Sequence, residues 1–365
     1  AKFFFDQDRK KTLQSRVAQL AKVVYHNQLG TQGERVERVR AIARAIAARL
    51  GGAQLAQQAD QAALLAKTDL VTDMVGEFPE LQGTMGRYYA LNDGLDAAVA
   101  DAIEDHYKPR FAGDALPRGA AGVVVALADK LETLVGMFGI GNLPTGDRDP
   151  FALRRHALGV IRMLVEKDLP LDLIELVALA QDKFGDKLSG VDAIQGSLQL
   201  VDFIYDRLAG SLREQGYSAQ EVDAVLALRP QRLALVQKQL AAVRAFSALP
   251  EAPALAAANK RITNILKKAD AVDAHVNPEL LQEQAEQDLY AALQRFVPEA
   301  DAQFAAGDYT ASLQTLAVLR APVDAFFDDV MVNAEQLDLR LNRQGLLKSL
   351  HDAMNRVADL SRLAA

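Results

Sequence analysis

The sequence predicts an all-α protein, and three observations carry that prediction. Apolar residues recur at the 3.6-residue spacing of a helix through most of the chain, and the period-2 alternation of strands is nearly absent. The alanine-rich windows contain few internal Gly or Pro, which favours helix further. A chain of 365 residues is long enough for two or three domains. We therefore expect several helical domains along the chain.

The predicted helices follow one another in chain order. A first apolar stripe runs through Leu13, Val17, Leu20 and Val24. A second, from Val36 to Leu50, is followed by a Gly-Gly pair that predicts its C-terminal end. Later stripes span residues 120–138, 153–165, 201–212, 233–246 and 346–363.

Two breaks divide these helices. Residues 139–149 form the most turn-rich stretch, followed by Asp149-Pro150, a helix start signal. The second break is Arg229-Pro230, after a short helix whose Ser218 and Glu221 have capping-box spacing. The predicted domains are residues 1–145, 146–228 and 229–365.

Composition excludes several classes of site. The chain has no cysteine, which removes disulfides, thiolate zinc sites, iron–sulfur ligation and cysteine nucleophiles. Its five histidines lack HExxH-type spacing, so we expect no tightly held metal. No apolar run approaches the roughly 20 residues of a membrane helix, and the N-terminus lacks a signal-peptide core. The expectation is a cytoplasmic protein without a membrane partner.

Charge is distributed unevenly. The formal net charge is −7, yet residues 9–49 carry ten basic side chains against two acidic ones. Residues 229–268 carry eight basic side chains against the single acid Glu251. Two basic segments in an acidic chain are typical of polyanion binding, because phosphate attraction depends on the local field. The alternative is that both segments are solvated helix faces that compensate acids elsewhere in the fold.

A histidine and two helix-borne aspartates resemble the layout of HD-type metal-dependent phosphohydrolases. His26 lies near the end of an early predicted helix, Asp69 ends an apolar helix, and Asp129 lies on a later one. The chemistry needs a His-Asp doublet to grip a divalent metal that activates water. Here the doublet reads Thr68-Asp69 after Lys67, and a Lys ammonium competes with a cation. We expect a helical scaffold with a degenerate site and no catalytic residue, with a nucleotide phosphohydrolase as the alternative.

The C-terminal basic segment contains one polar helix face. Lys260, Asn264, Lys267 and Lys268 fall at i, i+4, i+7 and i+8, so they share one side of a helix. Amides read base edges and cationic side chains hold phosphates, which suits splayed single-stranded bases.

Long motifs resemble known synthetase families. Residues 258–268 (ANKRITNILKK) resemble the helix of DALR-type anticodon-binding domains. Residues 22–43, 66–90, 128–155, 326–332 (FFDDVMV) and 341–350 (LNRQGLLKSL) resemble the β subunit family of bacterial tetrameric glycyl-tRNA synthetase. The resemblance covers nearly the whole chain, from about Phe3 to its end. It implies an HD-like helical domain, a helical middle region and a C-terminal helical anticodon-binding domain.

The resemblance also implies a function and its partners. Members are longer, so we expect further N-terminal domains before the equivalent of Ala1. It implies that this chain binds glycine tRNA, and neither DNA nor a cofactor. Glycine activation with ATP and Mg²⁺ is expected at a separate α subunit. Residues 9–49 would then lie along the acceptor arm, and residues 229–268 would take the anticodon, whose two cytosines offer amino donors and ring acceptors.

Seven side chains are the candidate RNA contacts. Those expected to bind the anticodon or its phosphates are Arg229, Arg232, Lys260, Arg261, Asn264, Lys267 and Lys268. A third hypothesis is structural: the helices would mainly form an interface with the rest of a synthetase.

Overall fold

The computed structural model describes all 365 residues, which form 18 α-helices, short 3-10 turns and one two-stranded hairpin. The all-α prediction is confirmed. The chain forms two compact units. Unit 1 contains Ala1–Leu208 with Gln231–Ala234, and unit 2 contains Ala209–Pro230 with Leu235–Ala365. The three-part division predicted from the sequence (1–145, 146–228 and 229–365) stays a prediction.

Unit 1 is built around one central helix, α8, whose residues from Ala121 to Phe138 are all buried. The helix is buried on every side because neighbours cover every side: α3, α4, α7, α9 and α10 all pack on it. Most of its side chains are apolar, and its buried charges, Asp129, Lys130 and Glu132, are exceptions. The α-helices of this unit are α1 (Lys2–Asp8), α2 (Leu13–Arg16), α3 (Gln32–Leu50), α4 (Ala53–Leu65), α5 (Asp73–Glu77), α6 (Thr84–Asn92), α7 (Ala97–Asp105), α8 (Ala120–Gly139), α9 (Leu153–Glu166), α10 (Leu173–Asp182) and most of α11 (Gly190–Glu214).

The first apolar stripe is not one helix. Only Leu13–Arg16 is α-helical, Val17–Lys22 is a 3-10 turn, and Val24 begins strand β1 (Val24–His26), which pairs antiparallel with β2 (Gly30–Thr31). Gly30 has φ of 95°, a conformation that a side chain disfavours, and it places β2 back against β1. Val24 is therefore 76% exposed rather than part of the core.

Unit 2 packs seven helices around an apolar core that includes Leu240, Phe246, Leu289 and Phe326. Helix α14 packs against α17 and α18, and α15 against α16, α17 and α18. The helices are α12 (Ala219–Leu226), α13 (Val236–Ser247), α14 (Ala252–Lys268), α15 (Gln284–Ala305), α16 (Tyr309–Ala317), α17 (Arg320–Asp329) and α18 (Leu337–Met354).

Helix ends follow the sequence signals in most places. Helix α3 ends at Leu50 with Gly51 as its C-cap, and the Ser218–Glu221 capping box of α12 is formed on both sides. Two expectations were wrong. Helix α9 begins at Leu153 rather than directly after Asp149. The Asp149 carboxylate still accepts hydrogen bonds from the Leu153 and Arg154 amides of its first turn. The stripe at 346–363 is the end of α18 followed by a separate 3-10 turn.

Candidate nucleic-acid interface

Helix α14 presents five polar side chains on its exposed surface. Its apolar residues Leu255 and Ile262 are fully buried, which fixes the rotation of the helix in unit 2. The exposed polar side chains are Lys260, Arg261, Asn264, Lys267 and Lys268. Asn259, on the opposite side, is fully buried and donates to the Leu255 carbonyl, so it belongs to the core.

The cations of this face have no acidic partner. None of Lys260, Arg261, Lys267 and Lys268 has a carboxylate oxygen within ion-pair distance, whereas Arg244 of the neighbouring α13 is paired with Glu221 at 2.8 Å. The Arg261 guanidinium instead lies over the Phe327 ring, 4.4 Å from its centroid. Unpaired cations on one face produce a positive local potential even in an acidic chain. The α14 face therefore has the positive local potential that attracts phosphate groups.

The α14 face forms one wall of a groove with a volume of about 540 Å³. Four of its polar residues line the groove: Lys260, Arg261, Asn264 and Lys268. Opposite this face the groove is lined by Asn333, from the loop after α17, and its floor includes the buried Gln344 of α18. No acidic residue lines the groove.

Buried polar contacts of α18 hold the opposite wall in place. Arg343 is paired with Glu286 of α15 at 2.8 Å and donates to the Met331 carbonyl at 2.6 Å. This second bond fixes the loop that carries Asn333. Breaking a buried charge pair of this kind is costly, because either charge would be left buried without its partner. The pair is not fully satisfied, since the Arg343 Nε and the Glu286 Oε2 have no hydrogen-bond partner. The groove is therefore formed before any ligand binds.

The N-terminal basic segment differs from the α14 face. Its arginines are paired with carboxylates, several of them inside unit 1. The pairs are Arg16–Asp8, Arg35–Asp129, Arg38–Glu132, Arg40–Asp60, Arg44–Asp60 and Arg49–Glu175. Arg16, Arg35 and Arg38 are buried with their acids and so are not part of a cationic surface, whereas Arg40, Arg44 and Arg49 are partly exposed. The expectation that residues 9–49 lie along the acceptor arm stays a prediction.

Two of the predicted HD-like residues, Lys67 and Asp129, meet in a buried charge cluster. The Lys67 ammonium lies 3.5 Å from Asp129, and the Arg35 guanidinium lies 2.9 Å from the same oxygen. Burial alone would raise the pKa of Asp129, but the charges of Arg35 and Lys67 hold it well below its usual range. Burial lowers the pKa of Lys67 to about 8. Two cationic side chains thus occupy the place beside Asp129 where a cation would bind.

The other predicted members of this site have separate roles. The Asp69 carboxylate accepts from the Gly83 and Gly86 amides at the start of α6, and burial raises its pKa to about 6. Thr68 donates to the Leu65 carbonyl. His26 lies on β1 and packs against Phe151. No group of three or more His, Asp or Glu side chains is placed to hold a metal ion.

The chain resembles known synthetase subunits over its whole length. The family model for the glycyl-tRNA synthetase beta subunit matches residues 1–227, and that for the DALR anticodon binding domain matches residues 255–360. The chain belongs to the glycyl-tRNA synthetase β subunit family. A glycine–tRNA ligase beta subunit of Paracidovorax citrulli is 86% identical, and one of Acidovorax sp. is 78% identical. One of Dechloromonas aromatica is 70% identical. These matches cover 100% of this chain and 51%, 52% and 51% of the relatives, so the chain spans about half their length.

The two family models divide the site residues. The whole α14 face lies in the segment that matches the anticodon-binding model, and the Lys67–Asp129 cluster lies in the segment that matches the β subunit model. Arg229 and Arg232 lie between the two matches, in the segment that joins α12 to α13. Both are exposed, and neither lines the groove.

Sequence reasoning missed three residues. Gln344 and Asn333 line the groove from elements 65 or more residues beyond α14, and no local pattern connects them to it. His106 is fully buried in the Lys67–Asp129 cluster, and its Nδ1 is bonded to the Ile103 carbonyl. Burial, with the Lys67 charge, lowers its pKa to about 3. The only sequence signal was its position beside Asp105 at the end of an apolar helix.

Proposed function

We propose that this chain is the tRNA-binding, non-catalytic part of a glycine–tRNA ligase β subunit. In this proposal unit 2 binds the anticodon loop of glycine tRNA through the α14 face. Adenylation of glycine with ATP and Mg²⁺ takes place at a separate α subunit, in the cytoplasm. The chain contributes to charging by holding tRNA near that site, which converts a bimolecular encounter into a tethered one.

The observation that carries the proposal is the α14 face itself. Four unpaired cations and an exposed amide lie on one helix that matches an anticodon-binding family. Lys267 and Lys268 are proposed as phosphate contacts, Lys260 and Arg261 as cations that also hold phosphates of the loop, and Asn264 as a contact to a base. Cations supply affinity for the sugar-phosphate backbone, while an amide can distinguish one base from another.

The phosphohydrolase alternative is not favoured by the Lys67–Asp129 cluster. A metal-activated water needs free carboxylate and imidazole ligands, but Asp129 is engaged by Arg35 and Lys67, and Asp69 by two backbone amides. In this proposal the ammonium and guanidinium groups of the cluster take the position of a metal ion, and their role is structural.

Charge reversal separates RNA binding from a purely structural role. Arg261→Glu is compared with Arg295→Glu, a matched control: Arg295 is also exposed in unit 2 and lies over a Phe ring, 5.0 Å from its centroid, on α15. Binding of glycine tRNA to the full chain is measured by filter binding between about 50 and 200 mM salt. Losing one phosphate contact reduces the slope of log affinity against log salt by about 0.7 to 1.

The expected result is weaker binding and a smaller salt slope for Arg261→Glu only. A purely structural chain would show almost no slope for any variant, and an acceptor-only binder would respond equally to both reversals. Either outcome would overturn the assignment of α14.

A further inference from the structure

We propose that the Gln344 carboxamide, at the floor of the groove, hydrogen-bonds the edge of an unpaired base and determines which anticodon is accepted. This inference rests on the proposed function, because it assigns a specificity-determining residue to the same groove. It adds a residue from α18 to a site so far described through α14.

Gln344 opens into the groove and has no partner within the protein. The residue is only 7% exposed, lines the groove, and makes no hydrogen bond to another residue. Its amide atoms are not among the buried atoms that lack a partner, so the small part of Gln344 that stays accessible includes its polar end. The other two amides of the groove, Asn264 and Asn333, lie on exposed residues. Gln344 is therefore the groove amide that is most enclosed and still free to bond a ligand.

The surrounding structure fixes the position of Gln344. Its neighbour Arg343 is held by Glu286 and the Met331 carbonyl, and Asn342 exchanges two hydrogen bonds with the backbone of Asn277. On its other side Gly345 lies so close to the His275 carbonyl that no side chain fits. A side chain whose backbone is held on both sides loses little further entropy on binding, which favours discrimination between ligands.

Two contacts set the direction of α18 relative to α14. Asn259 is bonded to Met354, and Thr263 to His351, so the two helices run antiparallel. Gln344 is consequently opposite the C-terminal end of α14, beside Lys268. A phosphate held by Lys268 or Arg261 at the rim would place the attached base over the floor of the groove.

The chemistry of a carboxamide matches a base edge. It offers one acceptor oxygen and two N–H donors side by side. The pairing edge of an unpaired cytosine offers an amino donor beside a ring acceptor, so both groups of the amide are satisfied at once. An inorganic phosphate would leave the Gln344 oxygen facing another oxygen, so the groove floor favours a base over an anion.

The test compares two glutamines of equal burial. Gln344→Met keeps the length of the side chain and removes its polar atoms. Gln239→Met is the control, because Gln239 is 8% exposed but already donates to the Val357 carbonyl at 3.2 Å. Each full chain is titrated with glycine tRNA and with the same tRNA carrying a single substitution at each anticodon base, and its melting temperature is recorded.

The two variants are expected to behave in opposite ways. The native chain should prefer the native anticodon by about 5- to 150-fold at the position that Gln344 contacts, and Gln344→Met should abolish that preference. The salt slope and the melting temperature of Gln344→Met should not fall, because this substitution removes neither a phosphate contact nor a hydrogen bond within the protein. Gln239→Met should lower the melting temperature and keep the preference.

Two contrary results are distinguishable. If Gln344→Met retains the native preference at every position, the inference about Gln344 is wrong, and an ordered water is its partner. If the native chain itself binds equally to tRNA with and without its anticodon loop, the proposed function fails together with it.

Discussion

Acid is expected to destabilise unit 1 through His106, and His106→Gln should remove part of that effect. The ring is fully buried, its Nδ1–H donates to the Ile103 carbonyl, and its bare Nε2 has no partner. Protonation would place a second charge beside Lys67 in a site that water does not reach. Burial first, and the Lys67 charge second, lower its pKa from 6.5 to about 3.

The sign and size follow from linkage. Between pH 6.5 and 3 the unfolded chain binds a proton at this histidine and the folded chain does not, so stability falls as the pH falls. The free energy of unfolding falls by about 1.4 kcal/mol per pH unit within this range, or by about 2 kcal/mol between pH 7 and pH 5. His156, whose pKa burial lowers to about 4, adds a loss of the same sign. Asp69, whose pKa burial raises to about 6, acts in the opposite direction because the folded state holds its proton.

The assay is urea unfolding of native chain and His106→Gln at pH 7 and pH 5. The change in the free energy of unfolding from pH 7 to pH 5 is compared between the two proteins. His156 and Asp69 are present in both, so any difference between these changes is due to His106. On acidification from pH 7 to pH 5, the free energy of unfolding of His106→Gln should fall by about 2 kcal/mol less than that of the native chain. His275→Gln, at an exposed histidine, is the control substitution. Equal acid sensitivity of native chain and His106→Gln would refute the reasoning.

Further predictions concern the scaffold of the groove. Gly345→Ala should destabilise unit 2 by about 1 to 3 kcal/mol in urea unfolding, because its Cβ would overlap the His275 carbonyl oxygen. Gly210→Ala, a helical position with open space, should instead stabilise by about 0.5 to 1 kcal/mol, and a loss at Gly210 equal to that at Gly345 would contradict the packing argument. Arg343→Met should cost about 3 to 5 kcal/mol, because it leaves Glu286 buried without its partner. Arg343→Met with Glu286→Leu should recover much of this loss, and additive losses would show that the pair is not coupled.

The helices were predictable from the sequence where periodicity and end signals agree. The stripe from Val36 to Leu50 with its Gly-Gly end became α3, and the Ser218 capping box formed as expected. The prediction failed at residues 13–26, because a 3-10 turn repeats apolar residues at nearly the same spacing as an α-helix. A positive φ at Gly30 then allowed a hairpin that no alternation of residues had indicated.

The candidate site was predictable on α14 and not beyond it. Lys260 and Arg261 could be placed on an exposed face because helix spacing relates nearby residues. Gln344 could not, since its place in the groove depends on how α18 packs against α14. Basic residues of segment 9–49 looked equivalent to those of α14 in the sequence, and only the packing of α3 on α8 shows that Arg35 and Arg38 compensate buried acids.

The most direct test of RNA binding by α14 is a salt titration with two RNAs. The full chain is titrated with glycine tRNA and with the same tRNA lacking its anticodon loop. Four cations on the α14 face predict a slope of about −3 for the complete tRNA, taking about −0.7 per single-stranded phosphate contact. Removing the loop should weaken binding and flatten the slope. Equal affinity and equal slope for both RNAs would contradict the account.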